Sequence, residues 1–337
     1  MSATIRDVAR RAGVSISTVS RALNNSSPVA EDKRRLIYEA AEALGYAPHP
    51  AARSLQGKQT GAVGVLLPFV SGEFFSELLN GLDGAAQELG LLLLISTSHR
   101  RHDDFRKAVG ALDKRVDGLV VMAPELGAAA AASLARPGTP VVFVNTRAEG
   151  VAGDTVNFDN AGGAAALTRH LIGLGHRRIA HVRGREEAWD AGERARGYRE
   201  AMAEAGLGAE ALEIEGGYTR EAGHAAAQTL LSLTPRPTAV VAANDYCALG
   251  VMGALREAGL SVPADVSVCG FDGLTSGQFT VPTLTSVRVP IREIGAQAVH
   301  RLAEQLAAPD GEAAPRHEVV PVTLVARDST SAPPGVG

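Results

Sequence analysis

Apolar residues in the first 45 positions recur every three to four residues, the spacing of helices that bury one face. Ile5, Val8, Ala9 and Ala12 make the first stripe, with Thr4 as N-cap, Asp7 three residues on, and Gly13 at the end. Ser15 caps a second helix. Val19, Ala22 and Leu23 share one of its faces, and Ser17, Ser20, Arg21 and Asn24 share the other, which carries only hydrogen-bonding groups. A third stripe over about 30 to 44 turns Leu36, Ile37, Ala40, Ala41 and Leu44 inward and stops at Gly45. Ala30 offers this helix no side-chain cap, a loss of about 1 kcal/mol, which Glu31 and Asp32 partly offset at the positive helix end. The pattern predicts three short helices around one core.

Tyr46 to Lys58 holds two prolines followed by six or seven potentially helical residues. So short a helix is marginal alone, and Pro50 is tolerated at its start because its missing N–H would be unpaired there anyway. From Gly61 the period changes. Short apolar runs at Ala62 to Leu67, Leu91 to Ser96, Gly118 to Met122, Val141 to Asn145, Ile179 to Val182, Ala239 to Ala243 and Val266 to Phe271 read as strands. Helical stretches at 74 to 89, 160 to 174, 191 to 205, 220 to 232 and 247 to 258 lie between most of them. The predicted fold class is a small all-α helix-turn-helix head plus an α/β body of two doubly wound parallel-sheet lobes. Ligands bind such folds beyond the carboxyl ends of the strands, here in the cleft between lobes.

Charge separates the two parts. The net charge of -4 conceals nine Lys/Arg against five Asp/Glu in residues 1 to 60, and 24 against 32 in the rest. A basic head suits phosphate contact and an acidic body does not. The two cysteines, Cys247 and Cys269, have no metal-type partners at usual spacings and read as core residues; no cofactor or metal is called for. The chain enters a capped helix without a leader, which with the cysteine usage implies a reduced, cytoplasmic setting. No apolar run reaches the ~18 residues that span a bilayer.

The run Thr4-Ile5-x-Asp7-Val8-Ala9-x-x-Ala12-Gly13-Val14-Ser15-x-x-Thr18-Val19-Ser20-Arg21-x-Leu23-Asn24 resembles the N-terminal signature of the lactose-repressor (LacI) family of bacterial transcription regulators. The body resembles that family's effector domain, itself related in fold to periplasmic sugar-binding proteins. The motifs carrying the likeness include Asp159-Asn160-x-x-Gly163, His170 to Ala180, Arg194-x-x-Gly197-Tyr198, Asn244-Asp245-x-x-Ala248-Leu249-Gly250 and Gly270-Phe271-Asp272. The resemblance implies a DNA-binding head at 1–46 and a hinge helix and linker at 47–60. It places 61–159 with 289–316 in the first lobe, 160–288 with 317–330 in the second, and a flexible tail at 331–337. A strand over 317 to 326 is thereby expected in the second sheet.

The implied DNA contacts are Thr4, Ser15, Ile16, Ser17, Thr18, Ser20, Arg21 and Asn24, with Ala52 and Leu55 in the hinge. Ile16 can meet a thymine methyl, Ser17 discriminates weakly, and Arg21 can take guanine O6 and N7 together. Thr18, Ser20 and Asn24 hold phosphates. Leu55 occupies the position that wedges into the minor groove when two hinges pair, and Ala52 lets the hinge helices approach. The implied partners are double-stranded operator DNA, a second copy of the chain as a homodimer, and a small-molecule effector; no membrane is involved. For the effector the matching cleft positions are Phe74, Phe75, Arg194, Tyr218, Asn244, Asp245 and Asp272. Aromatic faces with planar acid, amide and guanidinium groups suit a sugar or sugar derivative.

Some positions depart from the family pattern. Asn145 stands where an Asp is common, and Arg183 to Asp190 is richer in charge than the usual Gly-Pro loop and holds the sole tryptophan, Trp189. An effector unlike simple sugars, carrying negative charge, is one expectation from that loop. A co-repressed regulator answering a nucleobase or other metabolite is another reading, and a solute-binding receptor a third, although a receptor needs an export signal and no basic head. An enzyme is not expected, since no Gly-x-Ser-x-Gly, His-Glu-x-x-His or phosphate loop occurs. Ser329 to Gly337 has no heptads, so no tetramerising coiled coil is expected there.

Overall fold

The computed structural model describes residues 3–23, 28–46, 60–99, 101–125, 134, 139–147, 153–308 and 315–334. It divides into two compact units, residues 1–60 and 61–337.

The first unit is built from helices α1 (Ile5–Ala12), α2 (Ile16–Leu23) and α3 (Glu31–Ala43). Val8, Ala9, Val19, Ala22, Ile37, Ala40 and Ala41 form its core. Thr4 opens α1 by donating its N–H (3.0 Å) and its hydroxyl (2.6 Å) to the Asp7 carboxylate. Gly13 closes it in the left-handed region, φ 66. Leu36 corrects the expected inner face of α3: it is 46% exposed. The stripe Ile37, Ala40, Ala41, Leu44 already fills one helix face, and Leu36 stands about 100° away from it.

In the second unit, β1 (Ala62–Leu67), α4 (Glu73–Glu88), β2 (Leu92–Thr97), α5 (His102–Leu112), β3 (Gly118–Val121), β4 (Val141–Val144) and β5 (Asp154–Phe158) make the first lobe. The second contains α6 (Asn160–Gly173), β6 (Ile179–Val182), α7 (Trp189–Glu204), β7 (Leu212–Ile214), α8 (Arg220–Ser232), β8 (Ala239–Ala242), α9 (Asp245–Glu257), β9 (Ser267–Asp272) and β10 (Thr285–Arg288). Helix α10 (Ile291–Ala307) and strand β11 (His317–Val320) return to the first lobe, and β12 (Thr323–Val325) ends in the second. The sheet orders are β11-β5-β4-β3-β1-β2 and β12-β10-β9-β8-β6-β7, parallel throughout except for β12 against β10. All six residues of β1 are buried, as befits a strand covered on both faces.

The strand expected over 317 to 326 in the second sheet is corrected. His317 to Val320 pairs with Thr155 to Phe158 in the first sheet, and only Thr323 to Val325 joins β10. Pro321 separates the two: it has no N–H for a ladder, and the chain changes lobe there. The expected tail beginning at 331 is also corrected. Ser331 N–H donates to Ser267 Oγ (3.1 Å) and its carbonyl meets His176 Nε2 (2.9 Å), so the chain is still docked on the second lobe at Ser331.

Candidate functional site

On the head, Ser15 Oγ accepts the Thr18 N–H at 3.2 Å, so Ser15 does cap α2. Its hydroxyl also contacts those of Ser17 (2.8 Å) and Thr18 (2.7 Å). Ile16, Ser17 and Arg21 are exposed, with Ile16 at 46% although apolar. Arg21 rests along its own helix, its Nε donating to the Ser17 carbonyl at 3.3 Å. Thr18 and Ser20 are half-buried at the edge of this face. The side is a hydroxyl cluster at a helix N-terminus with an exposed guanidinium a turn on, an arrangement suited to phosphate and base edges. Asn24, Ala52 and Leu55 lie outside the described residues. Replacing Ser15 by alanine is expected to lower the stability of the head by about 1 kcal/mol, read by thermal unfolding of the full chain followed by circular dichroism.

The cleft between lobes is assembled from loops at the carboxyl ends of strands and from helix starts. Asn145 follows β4 at φ 49 and Asp272 closes β9 at φ 111, two non-glycine residues in left-handed backbone. Such strain, of order 1–3 kcal/mol each, is retained where surrounding structure fixes a functional side chain. Asp159 caps α6 by accepting Gly162 N–H (2.7 Å), Thr219 caps α8 through Ala222 N–H (3.2 Å), and Asn244 caps α9 through Cys247 N–H (2.8 Å).

Arg194 is the centre, 3% exposed. Its Nε donates to Asn160 Oδ1 at 2.9 Å and its Nη1 to the Ala243 carbonyl. Its Nη2 lies 3.7 Å from both Asp190 and Asp272. The guanidinium sits 3.9 Å from the centre of the Phe271 ring, with Tyr218 at 5.8 Å. Burial holds the Asp272 carboxyl well above the usual range against the pull of Arg194, and the neighbouring Asp245 and Asp190 charges push it the same way. Asn145 Nδ2 reaches across the cleft to Asp190 Oδ2 at 3.2 Å, and Asn160 Nδ2 donates to Asn145 Oδ1 at 2.9 Å.

Phe74, Phe75, Arg194, Tyr218, Asn244 and Asp272 line one cavity of about 80 Å³. It adjoins a vestibule of about 530 Å³ that runs past Tyr218 and Tyr246 to His99 and Arg220. Asp245, expected among the lining residues, does not line it. Both its oxygens are taken, by Leu274 N–H (2.6 Å) and the Ser286 hydroxyl (2.5 Å), because the residue belongs to the interior and holds the turn after Asp272. Burial pushes its carboxyl up to about 7. Asn145, Asp190 and Tyr246 line the cavity and were not among the sequence candidates. Asp190 carried a signal: it stands four residues before Arg194, on the same helix face.

Contacts at the cleft's edge join the lobes. Tyr246 Oη accepts the Glu73 N–H (2.9 Å), and the Glu73 carboxylate accepts the N–H groups of Thr275 and Ser276. Burial raises the Glu73 pKa, but hydrogen bonds from Ser276 and Thr275 outweigh it and leave the carboxyl lowered. Trp189 N–H donates to the Pro124 carbonyl at 3.1 Å. Among the described residues no group of three His, Cys, Asp or Glu could hold a metal ion, and no helix is long and apolar enough to cross a membrane.

A helix-turn-helix head followed by a two-lobed body with a lined cleft is the architecture of a DNA-binding regulator. Residues 4–49 match the family described as bacterial regulatory proteins, lacI family, and residues 168–330 match the periplasmic binding protein-like domain. The chain is 36% identical over 336 residues to the HTH-type transcriptional regulator GalR of Escherichia coli (strain K12), covering 98% of this chain and 96% of that protein. It is 36% identical over 307 residues to the HTH-type transcriptional repressor PurR of Vibrio campbellii, covering 90% and 92%. A crystal structure of the lac repressor dimer bound to operator and the anti-inducer ONPF aligns with a TM-score of 0.89 at 30% identity, covering 98% of this chain and 100% of that one. The chain belongs to the LacI family of bacterial transcriptional regulators.

Proposed function

We propose that this regulator is a repressor that binds a pseudo-palindromic operator as a homodimer and is controlled by a small molecule, a sugar or sugar derivative, held between its lobes. The observation that carries effector control is the gathering of six side chains, from Phe74 to Asp272 in sequence, on one cavity. Two apolar surfaces on the body favour self-association: Leu92 (69% exposed) with Leu94 on the edge strand β2, and Phe279 (83%) with Val281 (98%). The relative of known structure is described as a dimer on operator. Residues of α2 read the half-site, Leu55 of each copy wedges the central step, and Ala52 lets the two hinges approach. A protein with this task works in the cytoplasm, where buried free thiols such as Cys247 and Cys269 stay reduced.

Effector and operator are linked reciprocally: a ligand that favours one lobe arrangement shifts the population able to pair its hinges. The test is fluorescence polarisation on the DNA upstream of its own gene, with and without a panel of sugars, sugar phosphates and nucleobases. Release of bound DNA by one compound supports induction, and tightening supports co-repression. Arg21→Ala is expected to cost about 1–3 kcal/mol of specific binding. Leu55→Ala is expected to weaken operator binding while effector binding stays intact, and unchanged operator affinity would remove the wedge from the account.

A further inference from the structure

The cavity's lining bears on what it accepts. It holds three acidic residues, Glu125, Asp190 and Asp272, and one basic residue, Arg194; burial favours the neutral form of Asp272, which leaves Asp190 as the carboxylate set against the guanidinium. That guanidinium already faces two carboxyl groups with its Nη2, donates its Nε to Asn160 and its Nη1 to the Ala243 carbonyl, and packs its plane on Phe271. The arginines of the charge-rich loop are engaged elsewhere: Arg183 lies 3.3 Å from Glu213 and Arg185 lies 3.6 Å from Glu187. The negatively charged effector that this loop led us to expect therefore finds the loop's own arginines paired with Glu213 and Glu187, while Arg220, in the adjoining vestibule, stacks on the Tyr246 ring.

Asp190 is the distinctive group. The family pattern puts an acid at 145, on the first lobe; here position 145 is Asn, and a carboxylate stands 3.2 Å away on the second lobe. Asp190 is 5% exposed. Its Oδ2 takes the Asn145 amide, whereas its Oδ1 is buried without a hydrogen-bond partner. The buried Tyr218 hydroxyl faces the same carboxylate and is the protein's own donor beside it. Asp190 lines the cavity with acceptor capacity left over, and a buried acceptor of this kind is stabilised by a donor brought to it.

Resting on the reading of the cleft as the effector site, we propose that Asp190 sets the effector's chemical class. Its carboxylate accepts from a hydroxyl or amino group on an uncharged or amino-bearing sugar and turns away phosphorylated and acidic sugars. The amide at 145 holds the carboxylate in place from the opposite lobe, so the ligand's donor and Asn145 share one acceptor group and bind across the closure.

Calorimetric titration of the full-length protein tests this with matched probes: D-galactose, D-glucose and D-ribose, their amino counterparts, and their phosphates and uronates. At least one uncharged or amino sugar is expected to bind about tenfold or more tighter than its anionic counterpart. Asp190→Asn, which keeps the shape, is expected to weaken that sugar by about tenfold and to shrink the discrimination against anions, with Asp190→Ser doing the same. An anionic sugar binding the wild type more tightly, or unaltered selectivity in folded Asp190→Asn and Asp190→Ser, overturns the proposal, as does binding by none of the uncharged and amino probes. The cleft reading is judged apart from this: a small-molecule extract that raises the melting temperature of the wild type but not of Arg194→Ala keeps it, and equal shifts in both remove it.

Discussion

Arg194→Ala is expected to abolish the response of operator binding to every small molecule and to destabilise the body by about 3 kcal/mol, the low end for breaking a buried charge cluster. The loss of response follows from what the guanidinium touches. It joins α6 through Asn160, the end of β8 through the Ala243 carbonyl, and both cleft carboxylates. The stability loss follows from leaving Asp190 and Asp272 buried without their cation. It falls at the low end because a buried carboxyl can take up a proton instead. Burial already raises Asp272, and Arg194 is the charge that opposes it, so removing Arg194 raises it further. An acid whose folded pKa lies above its unfolded value loses stability as pH climbs from the ordinary carboxylate range toward that folded value. The deficit of the variant is therefore largest at neutral pH and narrows on acidification, which urea unfolding across pH measures. Arg194→Lys keeps a charge but not the planar fork, and is expected to recover much of the stability and little of the response.

The parts of the fold that were legible in sequence are those in which period and burial agree. The strands at Ala62–Leu67 and Ile179–Val182 keep their expected bounds because apolar residues dominate them. Strand β5, Asp154–Phe158, escaped notice because three of its five residues are polar, yet all five are buried. Asp154 accepts Arg316 N–H (2.9 Å), Thr155 meets His317 (3.1 Å), and Asn157 exchanges hydrogen bonds with the backbone of Thr146 (2.9 Å each way). Its partners come from segments up to 162 residues away, so no local pattern announces them. Strand β10 is similar: Thr285 and Ser286 are buried against Ser329, Thr330 and Asp245. In the cleft, motif position located Arg194 and Asp272, but could not say which of two adjacent residues faces the cavity. Asp245 turned inward and Tyr246 outward because the hydroxyl of Ser286 and the N–H of Leu274 had to be satisfied.

Gly197→Ala is expected to impair both stability and effector binding although Gly197 does not line the cavity. One turn after Arg194 on α7, Gly197 faces the backbone of α6 so closely that an added Cβ would lie 2.0 Å from the Ala161 carbonyl oxygen. Ala161 adjoins Asn160, whose side chain receives Arg194 Nε at 2.9 Å and reaches Asn145 at 2.9 Å. No rotamer relieves this clash, since both partners are backbone, so the helices must part. The overpacking is expected to lower stability by about 1–3 kcal/mol. Moving α6 and α7 apart by even a fraction of an ångström lengthens the Arg194–Asn160 bond and shifts the guanidinium from the Asp190 and Asp272 carboxylates that fix its position. Effector affinity should therefore fall about tenfold or more, as such geometric losses usually do when a positioned polar group is displaced. Operator binding without effector, measured under conditions where the variant is folded, should stay near the wild-type value, because the head forms a separate compact unit with its own core. Wild-type effector affinity in a folded Gly197→Ala chain would mean that the α6 and α7 contact sets stability alone, and that Arg194 is positioned by the strand ends instead.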